Sequence, residues 1–110
     1  MEYEQSIEEL LQAIYMYSFV EHKVYRWRRG KWNEITTRNS DGSFITSVTE
    51  GGTQYIFPLA RLAFFLVHKR WPGKLVFKDN NNTNYSIDNI AEERSLSFTA
   101  KINNIINNES

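Results

Sequence analysis

Three groups of side chains in this chain have types and spacing that could do chemistry. The first is a run of cations among aromatics, Tyr25-Arg26-Trp27-Arg28-Arg29-Gly30-Lys31-Trp32. Guanidinium groups make bidentate phosphate contacts that an ammonium cannot reproduce. Arg26, Arg28, Arg29 and Lys31 are therefore the leading candidates for contact with nucleic acid or an acidic partner. The second group is Lys69, Arg70, Lys74 and Lys78, flanking Trp71 and Pro72. The third is the polar run Asp79-Asn80-Asn81-Asn82-Thr83-Asn84. A lone carboxylate among amides is a weak site for a hard cation, and Asn-rich turns ordinarily satisfy their own backbone. No metal and no cofactor are expected there. His68, on an otherwise apolar segment, reads as a structural or surface histidine rather than a base, and Trp71, before a proline, reads as a packing plug.

The rest of the composition narrows the chemistry. There is no cysteine among the 110 residues, which excludes thiol catalysis, a disulfide framework and a cysteine-based zinc site. His22 and His68 are the only histidines, too few for a multi-histidine metal centre. The net charge of zero hides an asymmetry: residues 1–21 carry −5, residues 22–78 carry +8 and residues 79–110 carry −3. A basic block between acidic ends supplies the local field that nucleic-acid contact requires. The plainer reading of the same charge is a solvated, Arg-rich sheet face folded back onto an acidic helix. No apolar run reaches the roughly 20 residues of a membrane span, and Met1-Glu2-Tyr3-Glu4 has the wrong charge for a secretory leader, so a cytoplasmic location is expected.

These groups need elements to position them. Ser6-Ile7-Glu8-Glu9 fits a capping box, and Ile7, Leu10, Leu11, Ile14 and Tyr17 form one stripe of a helix over 6–18. From Lys23 the period changes to two, with Tyr25 and Trp27 on one side and Arg26 and Arg28 on the other. Either the arginines bind phosphate, or they are the solvated back of a sheet whose core side is Tyr25 and Trp27. Turns at Arg29-Gly30-Lys31, Asn39-Ser40-Asp41-Gly42 and Gly51-Gly52 divide residues 23–57 into three or four short antiparallel strands. Residues 59–70 read as a central helix, with Phe57, Leu62, Phe64, Phe65, Leu66, Val67 and Phe77 in the core. Residues 74–78 read as extended. A further helix is expected to start over Ser86-Ile87-Asp88-Asn89-Ile90, and a last one over Phe98, Ile102, Ile105 and Ile106.

Taken in order, Tyr25-Arg26-Trp27, the Gly-rich hairpins, Arg61-Leu62-Ala63-Phe64, Trp71-Pro72 and the run from Phe77 through Asp79, Asn81, Asn84 and Asn89 to Ile90 resemble the small HNH endonucleases of phages and mobile elements. The resemblance covers residues 20–91. It implies a strand, loop and helix that in that family grip one metal ion, and DNA as the ligand. The departures fall on the working groups. Phe77 stands where the family has its general-base histidine, Val76 at an adjacent ligand position, Ala60 at the histidine opening the preceding helix, and Tyr85 at one of the paired asparagines. A phenyl ring neither accepts a proton nor ligates a metal, and hydrolysis of a phosphodiester needs both functions.

The sequence thus predicts an α+β fold: a short antiparallel sheet with packed helices and a ββα-like remnant at 74–91. It predicts one domain over 1–110, comprising an acidic N-terminal helix (1–21), a degenerate HNH-like core (22–91) and a C-terminal helix (92–110). The expected function is binding without catalysis, to nucleic acid and foremost duplex DNA, by a protein of phage or mobile-element origin. The alternative is a protein–protein inhibitor of a host nucleic-acid defence complex, of anti-CRISPR or anti-restriction type, and a metal-dependent nuclease with relocated residues ranks third.

Overall fold

The computed structural model describes residues 5–93. The chain runs α1 (Gln5–Ile14), β1 (Tyr15–Ser18), β2 (Lys23–Arg28), β3 (Lys31–Glu34), β4 (Ile45–Glu50), β5 (Thr53–Pro58), α2 (Leu59–His68), β6 (Leu75–Phe77) and β7 (Ile90–Glu92). The strands form three antiparallel units: a sheet in the order β1-β2-β3, a β4-β5 hairpin and a β6-β7 pair. This is the α+β architecture with short antiparallel sheets that the sequence predicts. Among the described residues no helix is long and apolar enough to cross a membrane.

The first helix is shorter than its hydrophobic stripe. Ile7 and Leu11 are buried in the core, but the chain leaves the helix after Ile14, and Tyr15–Ser18 pairs with β2, placing Tyr17 opposite Val24. Tyr17 falls on the helical spacing by coincidence; Tyr15-Met16-Tyr17 has the aromatic character of a strand, and pairing with β2 overrides the period. Ser6 lies inside the helix, so it is not the N-cap. Residues 94–110, where the last helix is expected, lie outside the described residues.

In α2, Leu59, Ala60, Leu62, Ala63, Phe64, Phe65 and Leu66 are all buried, the pattern of a helix enclosed on most sides. It ends when Lys69 turns left-handed (φ 60°), its N–H donating to the Phe65 carbonyl at 2.8 Å. Arg61 then donates to the carbonyls of Pro72 (3.2 Å) and Gly73 (2.9 Å), holding the turn into β6. Trp71 stacks on Phe65 (4.3 Å, 8°) and Phe57 (5.6 Å, 11°), and its indole N–H donates to Glu8 at 3.0 Å. That bond fastens α1 to the far end of α2.

The expected helix over residues 86–90 is not formed. After β6 the chain makes an Asn-rich loop and returns as β7, pairing Phe77 with Ile90 and Val76 with Ala91. Phe77 is half-buried against the core rather than sealed in it.

Candidate nucleic-acid interface

The two basic groups have different fates. In the first sheet the alternation is as predicted but its phase is inverted. Val24 is fully buried, so Arg26 on the same side faces inward, and Trp27 on the other side is 47% exposed. Tyr25 and Trp27 are therefore not the core side. The Arg26 guanidinium donates to the Ser47 carbonyl (2.8 Å) and the Tyr15 hydroxyl (3.2 Å), and lies 5.5 Å from the centre of the Tyr15 ring. Tyr15 also shares a 2.8 Å hydrogen bond with Thr46. Burial pushes the Tyr15 hydroxyl up from its ordinary pKa, and the Thr46 bond and the Arg26 charge oppose that rise. Arg26 thus ties β2 to β4.

Beyond it, at the β2–β3 turn, Arg28, Arg29 and Lys31 are exposed and surround a concavity of about 440 Å³ together with Asn33. Among the described residues none of the three has an ion-pair partner. The turn is shaped by left-handed Arg29 (φ 53°) and Gly30 (φ 78°), the conformation of a two-residue hairpin loop that matches strand twist. Asn33 braces it, its amide donating to the Arg28 and Lys31 carbonyls at 3.2 Å each. Arg28 continues into a neighbouring groove of about 460 Å³ between this sheet and the outer side of the β4-β5 hairpin, with Asn33, Thr36, Ser47, Gln54 and Ile56 among its walls. On the opposite side of the sheet Trp27 and Trp32 (38% exposed) pair across the strands, centroids 5.3 Å apart at 69°.

The second basic group is largely paired. Arg70 makes a bidentate bond to Glu92 (2.6 and 3.1 Å) and lies over the Phe64 ring, and Lys74 pairs with Glu93 at 3.5 Å. The Glu92 bond raises the Arg70 pKa further. Lys69 and Lys78 are exposed, at the end of α2 and after β6. The eight cations singled out from the sequence thus divide into an unpaired trio at one hairpin tip, one inward tie, two paired groups and two isolated lysines.

The Asn-rich loop is closed on itself. Asp79 Oδ1 accepts from the Asn81 backbone N–H (2.8 Å) and the Asn89 amide (2.9 Å), and Oδ2 accepts from the Asn84 amide (2.9 Å). These bonds, Asn84 first, then Asn81 and Asn89, hold the Asp79 carboxyl below its ordinary pKa. The Asn89 carboxamide oxygen accepts from the Asp79 backbone in return, and its amide also reaches the Asn84 carbonyl. Asn81 caps Thr83 through backbone and hydroxyl. Ala60 is buried in α2, and Val76 and Phe77 are half-buried in β6. Among the described residues no three His, Asp or Glu side chains gather as a metal would require.

Sequence reasoning missed how the loop is fastened to the first sheet. Tyr85 is buried, and its hydroxyl accepts from the Val24 backbone N–H at 3.0 Å. The Tyr17 hydroxyl accepts from the Ile87 N–H (2.8 Å), and both it and the Ser86 hydroxyl contact His22 Nδ1, at 3.1 and 3.0 Å. His22 thereby joins two strand systems 64 residues apart.

With the geometry described, comparison adds one relationship. A solved structure concerned with DNA binding and cleavage by the HNH homing endonuclease I-HmuI is similar to this chain with a TM-score of 0.52 at 19% identity. The match covers 83% of this chain and 53% of that one, so the chain spans about half the endonuclease's length. At that identity the likeness concerns the fold: this chain has an HNH-endonuclease-like fold. No family model matches the sequence, and no curated protein matches it.

Proposed function

We propose that this chain is a non-catalytic relative of HNH nucleases that binds nucleic acid through the β2–β3 hairpin tip. The observation that carries the proposal is the unpaired trio Arg28, Arg29 and Lys31 around one concavity, on a fold similar to that of an endonuclease studied for DNA binding. Such a site holds phosphates and positions the backbone without reading bases. Phe77, Val76 and Ala60 at the positions of the family's working groups support the absence of hydrolysis, because none can move a proton or hold an ion. A phage or mobile-element origin and a cytoplasmic location accompany this reading.

Two measurements test it together. Duplex DNA at low salt should shift in a gel with the purified protein. Supercoiled plasmid incubated with the protein and Mg²⁺, Mn²⁺, Ni²⁺ or Zn²⁺ should stay uncut. Cleavage that disappears in Asp79→Ala would overturn the non-catalytic assignment. A failure to bind DNA or RNA, together with a nuclease-resistant complex captured from host lysate, would replace the binding reading with that of a protein inhibitor.

A further inference from the structure

The outer side of the first sheet has no role in the reading above. It presents Met16, Tyr25, Trp27 and Trp32, with Lys23 and Glu34 paired to each other at 2.8 Å beside them. Trp27 and Trp32 are 47% and 38% exposed, whereas the chain's third tryptophan, Trp71, is sandwiched between two phenyl rings. Leaving indoles in water forgoes the free energy of burying their apolar surface. An aromatic pair left out in this way marks a contact surface.

The neighbouring charge selects the occupant. One residue nearer the turn from each tryptophan stands a cation, Arg28 after Trp27 and Lys31 before Trp32, projecting from the opposite face of the strands, with Arg29 at the apex where the two faces meet. An apolar protein surface settling on the indoles would leave the three unpaired cations at the hairpin end without a match. A nucleic-acid strand bending over the hairpin end supplies both halves of the match, flat bases for the indoles on one face and phosphates for the cations at the apex and on the other. A duplex offers only its phosphates, because its bases are stacked on one another. A single strand offers both.

We infer that Trp27 and Trp32 are a stacking platform for the unpaired bases of a single-stranded nucleic acid, whose phosphates lie on Arg28, Arg29 and Lys31. The inference rests on the nucleic-acid reading and sharpens its ligand. The edge-to-face arrangement of the pair leaves an indole face open on each residue, so each takes a separate base. Base identity matters little in such a site, because every base has a π-face.

The test uses the full chain with a short oligothymidylate, which has no secondary structure, and a mixed-sequence duplex of the same length. The oligothymidylate should bind more tightly than the duplex and quench tryptophan fluorescence. Trp27→Ala and Trp32→Ala should each weaken oligothymidylate binding by roughly 5- to 160-fold, the range set by loss of one base–aromatic stack, while duplex binding is unchanged. Trp27→Phe and Trp32→Phe, which keep a ring at each strand position, should restore most of the affinity. Circular dichroism of every variant separates lost stacking from lost fold. Oligothymidylate binding that ignores both alanine variants, or no quenching on binding, overturns the stacking platform and leaves the phosphate-binding reading intact. Failure of both probes to bind overturns the two together.

Discussion

The β2–β3 hairpin and the β6–β7 pair are built from similar polar residues and put them to opposite uses. At the hairpin tip Arg28, Arg29 and Lys31 are unpaired, and the turn that carries them is held by a single asparagine. At β6–β7 the charges are turned toward one another: Glu92 takes both branches of Arg70, Glu93 meets Lys74, and Asp79 is enclosed by Asn81, Asn84 and Asn89. The region that resembles a nuclease motif is thus internally satisfied, and the region beside it carries the field. A count of basic residues along the sequence does not distinguish the two, because Arg70 and its carboxylate are 22 positions apart.

Reversing the tip should have the largest effect. With about three phosphates engaged, log K for duplex DNA should fall with log salt at a slope near −2.7, from about 0.9 per phosphate. Arg28→Glu with Arg29→Glu should cut affinity by on the order of 100-fold at low salt and flatten that slope. Arg70→Glu should change binding far less, and equal losses at the two sites would erase the contrast. Next is Tyr85→Phe, which deletes the acceptor for the buried Val24 N–H and should cost about 1–3 kcal/mol in urea unfolding with binding unchanged at full folding.

Glu92→Gln makes the paired region resemble the free one. It should lower the urea midpoint only slightly, since Arg70 is well exposed, and by releasing Arg70 it should steepen the salt slope by up to about 0.9. The smallest effect concerns Asp79. Its folded pKa is below the ordinary 3.8, so its contribution is complete above that value and is lost as pH falls through the depressed folded value. In Asp79→Asn the urea midpoint should lose that acid-limb component below about pH 4 and keep its shape at neutral pH.

Much of the fold is legible in the residues themselves. Asp41-Gly42 forms the expected turn, Gly42 at φ 89° and Asp41 accepting from Ser43, and Gly51-Gly52 closes the β4-β5 hairpin. The all-round apolar character of residues 59–68 marks the central helix. The candidate site was less legible, for a definite reason. Alternation fixes the period of a strand and leaves its phase open. The phase of β2 is set by Tyr15 and Ser47, 11 and 21 residues away, which draw Arg26 inward and push Trp27 out. The helix expected over 86–90 fails for a similar reason. Asn89 is committed to Asp79 across the loop, so the chain returns as a strand instead.

The hydroxyl joints also bear on the order in which the chain completes itself. Val24 is bonded to Tyr85, Tyr17 to Ile87 and Glu8 to Trp71, across 61, 70 and 63 residues. Contacts so distant along the chain form only after the entropy of a long loop has been spent. On a ribosome the first strands are made early and pair with one another, yet the buried Val24 N–H and the Tyr17 hydroxyl lack their distant partners until Tyr85 and Ile87 emerge. The amino-terminal sheet therefore waits on the loop before β7 for these joints, and a nascent chain stopped before that loop carries a sheet without them rather than a smaller finished domain.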